Sequence, residues 1–296
     1  MRILLIGKDG QVGWELQRAL APLGHVSAMG RAEVDLERID EVRHAVRTDA
    51  PDIIVNAASY TAVDRAESEA QRARTVNVQA PEALAQEAKR LDALFIHYST
   101  DYVFDGAATQ PYTEAQTPAP LNVYGSSKWE GERAIQASGA QALILRSSWI
   151  YGTRGKNFLL TMQGLMRSRQ HVSVVDDQRG APTWSRLIAD ATAAIVNRLR
   201  VRELRDWQFQ QASSHIYHLT CAGATTWYGF AGAIAESLRR SDPQAPLAEV
   251  RPITTAQYPT PARRPAYSVL SNAKIKRDFG IELPDWRHGL ALCVGS

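Results

Sequence analysis

Tyr124 and Lys128, in the run Tyr124-Gly125-Ser126-Ser127-Lys128, have the types and spacing of an acid–base pair. Four residues apart on a helix, both side chains leave the same face. A free phenol, with a pKa near ~10, is a poor acid–base at neutral pH, whereas a neighbouring ammonium favours the phenolate and brings it into useful range. Of the ten tyrosines only Tyr124 has a lysine at i+4. Such pairs also decorate ordinary surface helices, so the weight of this one comes from its company. Thr100 follows an apolar run that reads as a strand, at the carboxyl end where open α/β sheets bind ligands. Its hydroxyl would bond a substrate oxygen beside Tyr124, or would simply cap a turn. Together these residues predict delivery of a proton to a ketone while a nicotinamide delivers hydride.

The elements that must position them are legible as alternation. Short apolar segments at Arg2 to Ile6, Asp52 to Ala57, Ala93 to Tyr98 and Ala142 to Arg146 are separated by longer helix-like stretches, and His25 to Met29 reads as a second strand. That pattern predicts parallel strands with crossover helices, in a Rossmann-type doubly wound α/β sheet. The runs are continuous rather than alternating, as where helices cover both faces. Val12, Leu16 and Leu20 make one helical stripe, and Ala83, Leu84, Ala88 and Leu91 another. Beyond about residue 147 short strand-like pieces, Val172 to Val175 and Ile216 to Leu219, sit among Pro-, Gly- and Arg-rich loops. The expected organisation is a dinucleotide unit of residues 1–146, rejoined by a helix over 183–199. A smaller, discontinuous substrate unit would comprise 147–182 and 200–296.

The first strand runs straight into Gly7-Lys8-Asp9-Gly10-Gln11-Val12-Gly13, and an amphipathic helix follows. Gly7, Gly10 and Gly13 there allow a tight turn, close approach of N–H groups to a pyrophosphate, and close helix packing. Gln11 and Val12 would lie at the same anion. An NAD site usually carries an acid after the second strand, but here that strand ends Met29-Gly30-Arg31. Gly30 gives no repulsion and Arg31 offers a bidentate cation to a 2′-phosphate, which favours NADPH. Asp35, followed by Leu36, is close enough to keep NADH in play. Ser59, Tyr60 and Thr61, after Asn56-Ala57-Ala58, should flank the nicotinamide half, with Tyr98 on the neighbouring strand.

A net charge of +3 over 296 residues, with both signs interspersed, leaves no footprint for nucleic acid or anionic membrane. No run approaches the ~18 apolar residues of a membrane span. Two distant cysteines, Cys221 and Cys293, read as thiols of a reducing compartment, so a cytoplasmic protein is expected. No cluster has metal-ligand spacing, and there is no nucleophile elbow or Walker loop.

The glycine loop, the strand-end Ser99-Thr100 and the Tyr124/Lys128 pair together resemble the extended short-chain dehydrogenase/reductase superfamily. Within it, the chain resembles the dTDP-4-dehydrorhamnose reductases in several further runs. These are Gly7 to Leu16, Asn56-Ala57-Ala58 with Thr61 to Asp64, Ser99 to Gly106, Asn122 to Gly125, Arg146 to Tyr151, Asp177-Gln178 with Gly180 to Thr183, and Tyr258 to Ala262. The resemblance implies reduction of a dTDP-linked 4-keto-6-deoxysugar, the last step towards a rhamnose donor for O-antigen and other cell-surface glycans. It implies that Tyr124 donates the proton, Lys128 holds the nicotinamide ribose, Thr100 assists at the sugar oxygen, and Asp101 and Trp149 contact the sugar. Trp149 also offers, on its own terms, a flat amphipathic surface to a deoxysugar. Arg263 and Arg264, in a Pro-rich loop, would meet the nucleotide diphosphate. Some members of the family depend on magnesium held by acidic residues across a homodimer; Glu15 is available for that, but Arg186 and its neighbours show no matching acidic pair.

Sugar-nucleotide dehydratases share the fold but carry Thr-Asp-Glu where this chain has Thr100-Asp101-Tyr102, so elimination lacks its base. Epimerases share Tyr and Lys and are separated less sharply. A non-catalytic regulator, such as the regulatory subunit of methionine adenosyltransferase, resembles the same reductases, but the intact Thr100, Tyr124 and Lys128 favour an enzyme.

Overall fold

The structure is a computed structural model that describes residues 1–296 except 202–204, 207, 208, 210, 211, 245 and 296. Among the described residues, β1 (Arg2–Ile6), β2 (His25–Met29), β3 (Ile53–Asn56), β4 (Leu94–Thr100), β5 (Ala142–Ser147) and the strand Ser214–His218 form one sheet. The spatial order is Ser214–His218, β5, β4, β3, β1, β2, and every neighbouring pair is parallel.

A parallel sheet must be covered on both faces, and alternate residues of β1 show how. Ile3 and Leu5 pack with Val12, Leu16 and Leu20 of helix α1 (Gln11–Leu20) and with Ile188 and Ile195 of the helix Ser185–Leu199. Leu4 and Ile6 pack on the other face, with Val42 and Val46 of helix α2 (Ile39–Asp49), Leu84 and Ala88 of the helix Ala80–Leu91, and Ile135 of the helix Val123–Ser138. Strands buried twice over cannot alternate in hydropathy, which is why they read as unbroken apolar runs.

The chain leaves β1 towards β2 on one side, whereas β3 leads to β4 on the other. A crevice therefore opens at the carboxyl ends between β1 and β3. Gly7, the segment after Asn56 and Thr100 all lie at that end of the sheet.

One element departs from the sequence reading. The strand Ser214–His218 falls within the segment 200–296 expected in a second unit, yet it is the sixth strand of the sheet, pairing His215 with Leu143 and Tyr217 with Leu145. As an edge strand of sequence Ser-His-Ile-Tyr-His it has one neighbour and no continuous apolar run to announce it. The helix expected over 183–199 begins at Ser185, because Thr183–Trp184 pairs in parallel with Ile150–Tyr151.

A second core lies beyond β5, built from Tyr151, Leu159, Met166, Phe230, Ile234, Leu238, Trp286 and Leu290. It holds a parallel pair, His171–Val175 with Glu249–Ile253, and both buried free cysteines. Among the described residues no helix is long and apolar enough to cross a membrane.

Candidate active site

The glycine loop is held by sterics that no side chain would allow. Gly7 has φ 93°, and a Cβ there would lie 2.7 Å from the Ala58 backbone nitrogen. A Cβ on Gly13 would lie 1.9 Å from the Gly7 carbonyl oxygen, so α1 sits directly on the loop. Gly10 precedes α1 without a side-chain cap, leaving the first-turn N–H groups to be satisfied by an anion. The Val12 side chain is buried in the core. The Gln11 amide oxygen accepts from Asn157 at 3.0 Å, which ties the loop to the segment after β5, and there Arg154 lies over the Trp14 ring at 3.4 Å. A dinucleotide pyrophosphate fits this cradle.

At the end of β2 the charge is more mixed than the sequence order suggests. Gly30 itself brings no acid, but Glu33 turns back so that its carboxylate accepts from the Gly30 N–H at 2.8 Å and pairs with Lys8 at 2.5 Å. The Lys8 hydrogen bond, then that from Gly30, holds Glu33 below the usual carboxylate range. Arg31 is 65% exposed and pairs with Asp35 at 3.3 Å and Glu37 at 2.7 Å. The Leu36 side chain, expected at the cofactor, is packed in the core. Past β3, the Tyr60 N–H donates to Asn77 at 2.8 Å and its phenol to Glu69 at 2.8 Å; Ser59 is partly buried and Thr61 exposed beside it. Asn77 in turn donates to Ser127 at 3.0 Å, fastening this segment to the Tyr124 helix.

That helix begins at Val123 because the Asn122 side chain caps it, accepting from the Gly125 N–H at 2.8 Å. Gly125 is required by the close passage of Tyr102, whose carbonyl oxygen would lie 2.1 Å from a Cβ. Lys128 is fully buried; its Nζ lies 2.7 Å from the Tyr98 carbonyl oxygen and 3.1 Å from His97 Nε2. Burial draws it down to about 8, with Glu132 opposing. Tyr98 turns its phenol into the core, bonded to Thr192 at 2.7 Å, so its carbonyl is the group that serves the site.

Tyr124 departs from the expectation that Lys128 would lower it. Burial pushes it up to about 12, with the Thr100 hydroxyl pulling back and Asp101 adding to the rise. The i, i+4 spacing places both groups on one face, but the lysine reaches past the phenol to the strand beneath. Thr100 Oγ1 donates to Asp101 at 3.1 Å and accepts from the Tyr102 N–H at 3.2 Å. Asp101 is itself buried, and loss of hydration pushes it up to about 7 against the pull of the Ser268 and Thr100 hydroxyls.

Trp149 adopts φ 47°, a left-handed conformation that costs a non-glycine residue on the order of 1–3 kcal/mol. Its indole stacks on Trp227, centroids 3.5 Å apart and planes within 4°, and a Cβ on Gly180 would fall 2.4 Å from the ring. One face is thus braced from within the second core. Arg264 pairs with Asp64 at 2.8 Å, while Arg263 is exposed and its carbonyl accepts from Asn122 at 2.8 Å. Trp227, His97, Asn77 and Glu69 escaped the sequence reading. His97 left a signal, an imidazole inside the apolar run of β4; Trp227 left none, being 78 residues from Trp149.

Of the residues the family resemblance implies for magnesium, this chain supplies Glu15 on α1. The Glu15 carboxylate is taken by Arg18 at 2.6 Å, and Arg186 lies over Trp184 at 5.8 Å. Among the described residues no group of three or more His, Cys, Asp or Glu side chains is placed to hold a metal ion.

Comparison with known proteins accounts for the whole chain. Residues 1–296 match the family described as RmlD substrate binding domain. The dTDP-4-dehydrorhamnose reductase of Burkholderia thailandensis is 50% identical, covering 99% of this chain and 98% of that protein. The reductase of Escherichia coli K12 is 45% identical, covering 98% and 96%. Among solved structures, dTDP-4-dehydrorhamnose reductase from Bacillus anthracis in complex with NADP superposes with a TM-score of 0.86 at 30% identity, covering 99% of this chain and 98% of that one.

Proposed function

The chain belongs to the RmlD family of dTDP-4-dehydrorhamnose reductases, and from that premise we propose that it reduces the 4-keto group of dTDP-6-deoxy-L-lyxo-4-hexulose to give dTDP-L-rhamnose. The observation that carries this reading is the placement of Thr100 at the carboxyl end of β4 and of Tyr124 one turn before Lys128, whose buried Nζ meets the Tyr98 carbonyl of that same strand at 2.7 Å. A bound reduced nicotinamide, its pyrophosphate on the Gly7–Gly13 loop, supplies the hydride.

The rest is the work of this chain's own groups. Held up at about 12, the Tyr124 phenol is fully protonated at neutral pH, and it yields its proton only to something more basic, such as the alkoxide developing at C4. Thr100, whose hydroxyl pulls the Tyr124 phenol down against burial, would keep the phenol and the substrate oxygen together. Asp101, pushed up to about 7 by burial, can donate to or accept from a sugar hydroxyl. Trp149, braced by Trp227, gives the 6-methyl group an apolar wall. Arg263 and Arg264 border the nucleotide diphosphate. Tyr102 stands where a dehydratase would place its glutamate, so an intact dTDP-glucose is left unchanged.

Tyr124→Phe is the direct test. Turnover should fall by roughly 10²–10⁴-fold while affinity for the cofactor stays within about threefold, since the phenol moves the proton and the glycine loop holds the dinucleotide. Near wild-type turnover, under conditions where chemistry limits the rate, would remove Tyr124 from its role.

The cofactor proposed is NADPH, supported by exposed Arg31 and by the NADP complex of the Bacillus anthracis relative. Because Arg31 must be shared with Asp35 and Glu37, its contribution to the 2′-phosphate is modest. Arg31→Ala should weaken NADPH by about 1 kcal/mol more than NADH. Equal losses for the two cofactors, measured by fluorescence titration, would exclude the contact.

A further inference from the structure

Beneath the active site a row of hydrogen bonds fixes the direction of every proton in it. The Ala58 N–H donates to Asn56 Oδ1 at 3.1 Å. That settles which end of the Asn56 amide is which, because reversing it would set two N–H groups against each other. Asn56 Nδ2 therefore faces His97 Nδ1, at 3.1 Å, as a donor. Nδ1 must accept, so the proton of the neutral imidazole sits on Nε2. Nε2 in turn faces Lys128 Nζ at 3.1 Å. An ammonium there would bring donor against donor; an amine would accept through its lone pair and still donate to the Tyr98 carbonyl at 2.7 Å.

We infer that His97 is a positioning residue which, held in its Nε2–H form by Asn56, biases Lys128 towards the neutral amine. Three observations agree. His97 is fully buried, and burial keeps it far below the ordinary histidine range, hence neutral. Burial already draws Lys128 down to about 8, so a donor set against its nitrogen acts on a group whose charge changes near neutral pH. The carboxylate that opposes this, Glu132 on its own helix, is paired with Arg146 of β5 at 2.6 Å. Its titratable neighbours among the described residues include Tyr124, one turn back on the same helix and protonated, and His97 from β4.

The consequence for catalysis rests on the reductase reading above. The lysine that would meet the cofactor ribose changes charge close to neutral pH, and the row ends at Ala58, against which Gly7 of the cofactor loop is packed. The charge of Lys128 is thereby tied to the backbone that cradles the dinucleotide.

Nitrogen NMR of the ligand-free wild-type protein, with His97 assigned through its own backbone resonances, needs neither a variant nor activity. A bare Nδ1 and a protonated Nε2 are expected; a protonated Nδ1 would overturn the inference. The second arm titrates Lys128, identified by the lysine signal missing from Lys128→Met, in wild type and in His97→Leu. Removing a donor to the amine should raise the midpoint by roughly one pH unit, a tenfold change in proton affinity. Were Nε2 instead accepting from an ammonium, the same substitution would lower it, and a fall or no change sinks the proposal. The corresponding limb of the kcat/KM profile for keto-sugar reduction should move upward by the same amount. Absence of any reduction would count against the reductase reading alone, since both NMR arms are independent of it.

Discussion

Burying an ammonium beside a peptide carbonyl and an imidazole N–H strips away hydration that the carbonyl only partly replaces, and Lys128 shows the result. Its folded value of about 8 lies below that of an unfolded lysine, so the unfolded chain holds the proton more tightly. The cost is complete below pH 8 and fades as pH climbs from about 8 towards ~10.4. Lys128→Met should therefore inactivate the enzyme and yet stabilise the fold by about 1–3 kcal/mol at pH 7, the orphaned Tyr98 carbonyl taking back part of the gain. Urea unfolding at pH 7 and pH 10 checks this: the gain should shrink or vanish at the higher pH. An equal difference at both would mean that the buried charge is not its source. At this scale the sequence was informative about which groups share a face, since i, i+4 spacing is geometry. It was silent on direction: nothing local to Tyr124-Gly125-Ser126-Ser127-Lys128 says that the lysine will reach to β4, or that the phenol will rise instead of fall.

Elements bring to the site what no local motif contains. β1, β3, β4 and β5 were readable because strands covered on both faces must be apolar throughout, and the glycine loop because its backbone conformations exclude side chains. The edge strand Ser214–His218 lacks that constraint and went unassigned to the sheet. Trp149 shows the same limit. Its position after β5 was legible, but its support comes from Trp227 and from the space left by Gly180, on segments made adjacent only by the fold. Gly180→Ala should push the Trp149 ring aside and raise KM for the sugar nucleotide by roughly tenfold, with KM for NADPH changed by less than about twofold. If both constants rise together, the substitution has disturbed the crevice generally and Trp149 is not specific to the sugar.

At the scale of the molecule, polar ties cross the crevice between Gln11 and Asn157, between Asp64 and both Arg264 and the Ala262 N–H, and between Asn122 and the Arg263 carbonyl. Those ties run between the dinucleotide loop, the Tyr124 helix cap and the arginine loop, so a substrate bridging them would be gripped from both sides. Near-neutral net charge suits a small-molecule site better than a polyanion track. On the proposed reading this crevice reduces a ketone without removing water or inverting another carbon. Purified protein should be given dTDP-6-deoxy-L-lyxo-4-hexulose and one equivalent of NADPH, and the product identified by NMR. The account predicts dTDP-L-rhamnose, formed in step with cofactor oxidation, and no change when dTDP-glucose is supplied; a C4 epimer, an unchanged ketone or a dehydrated sugar would contradict it.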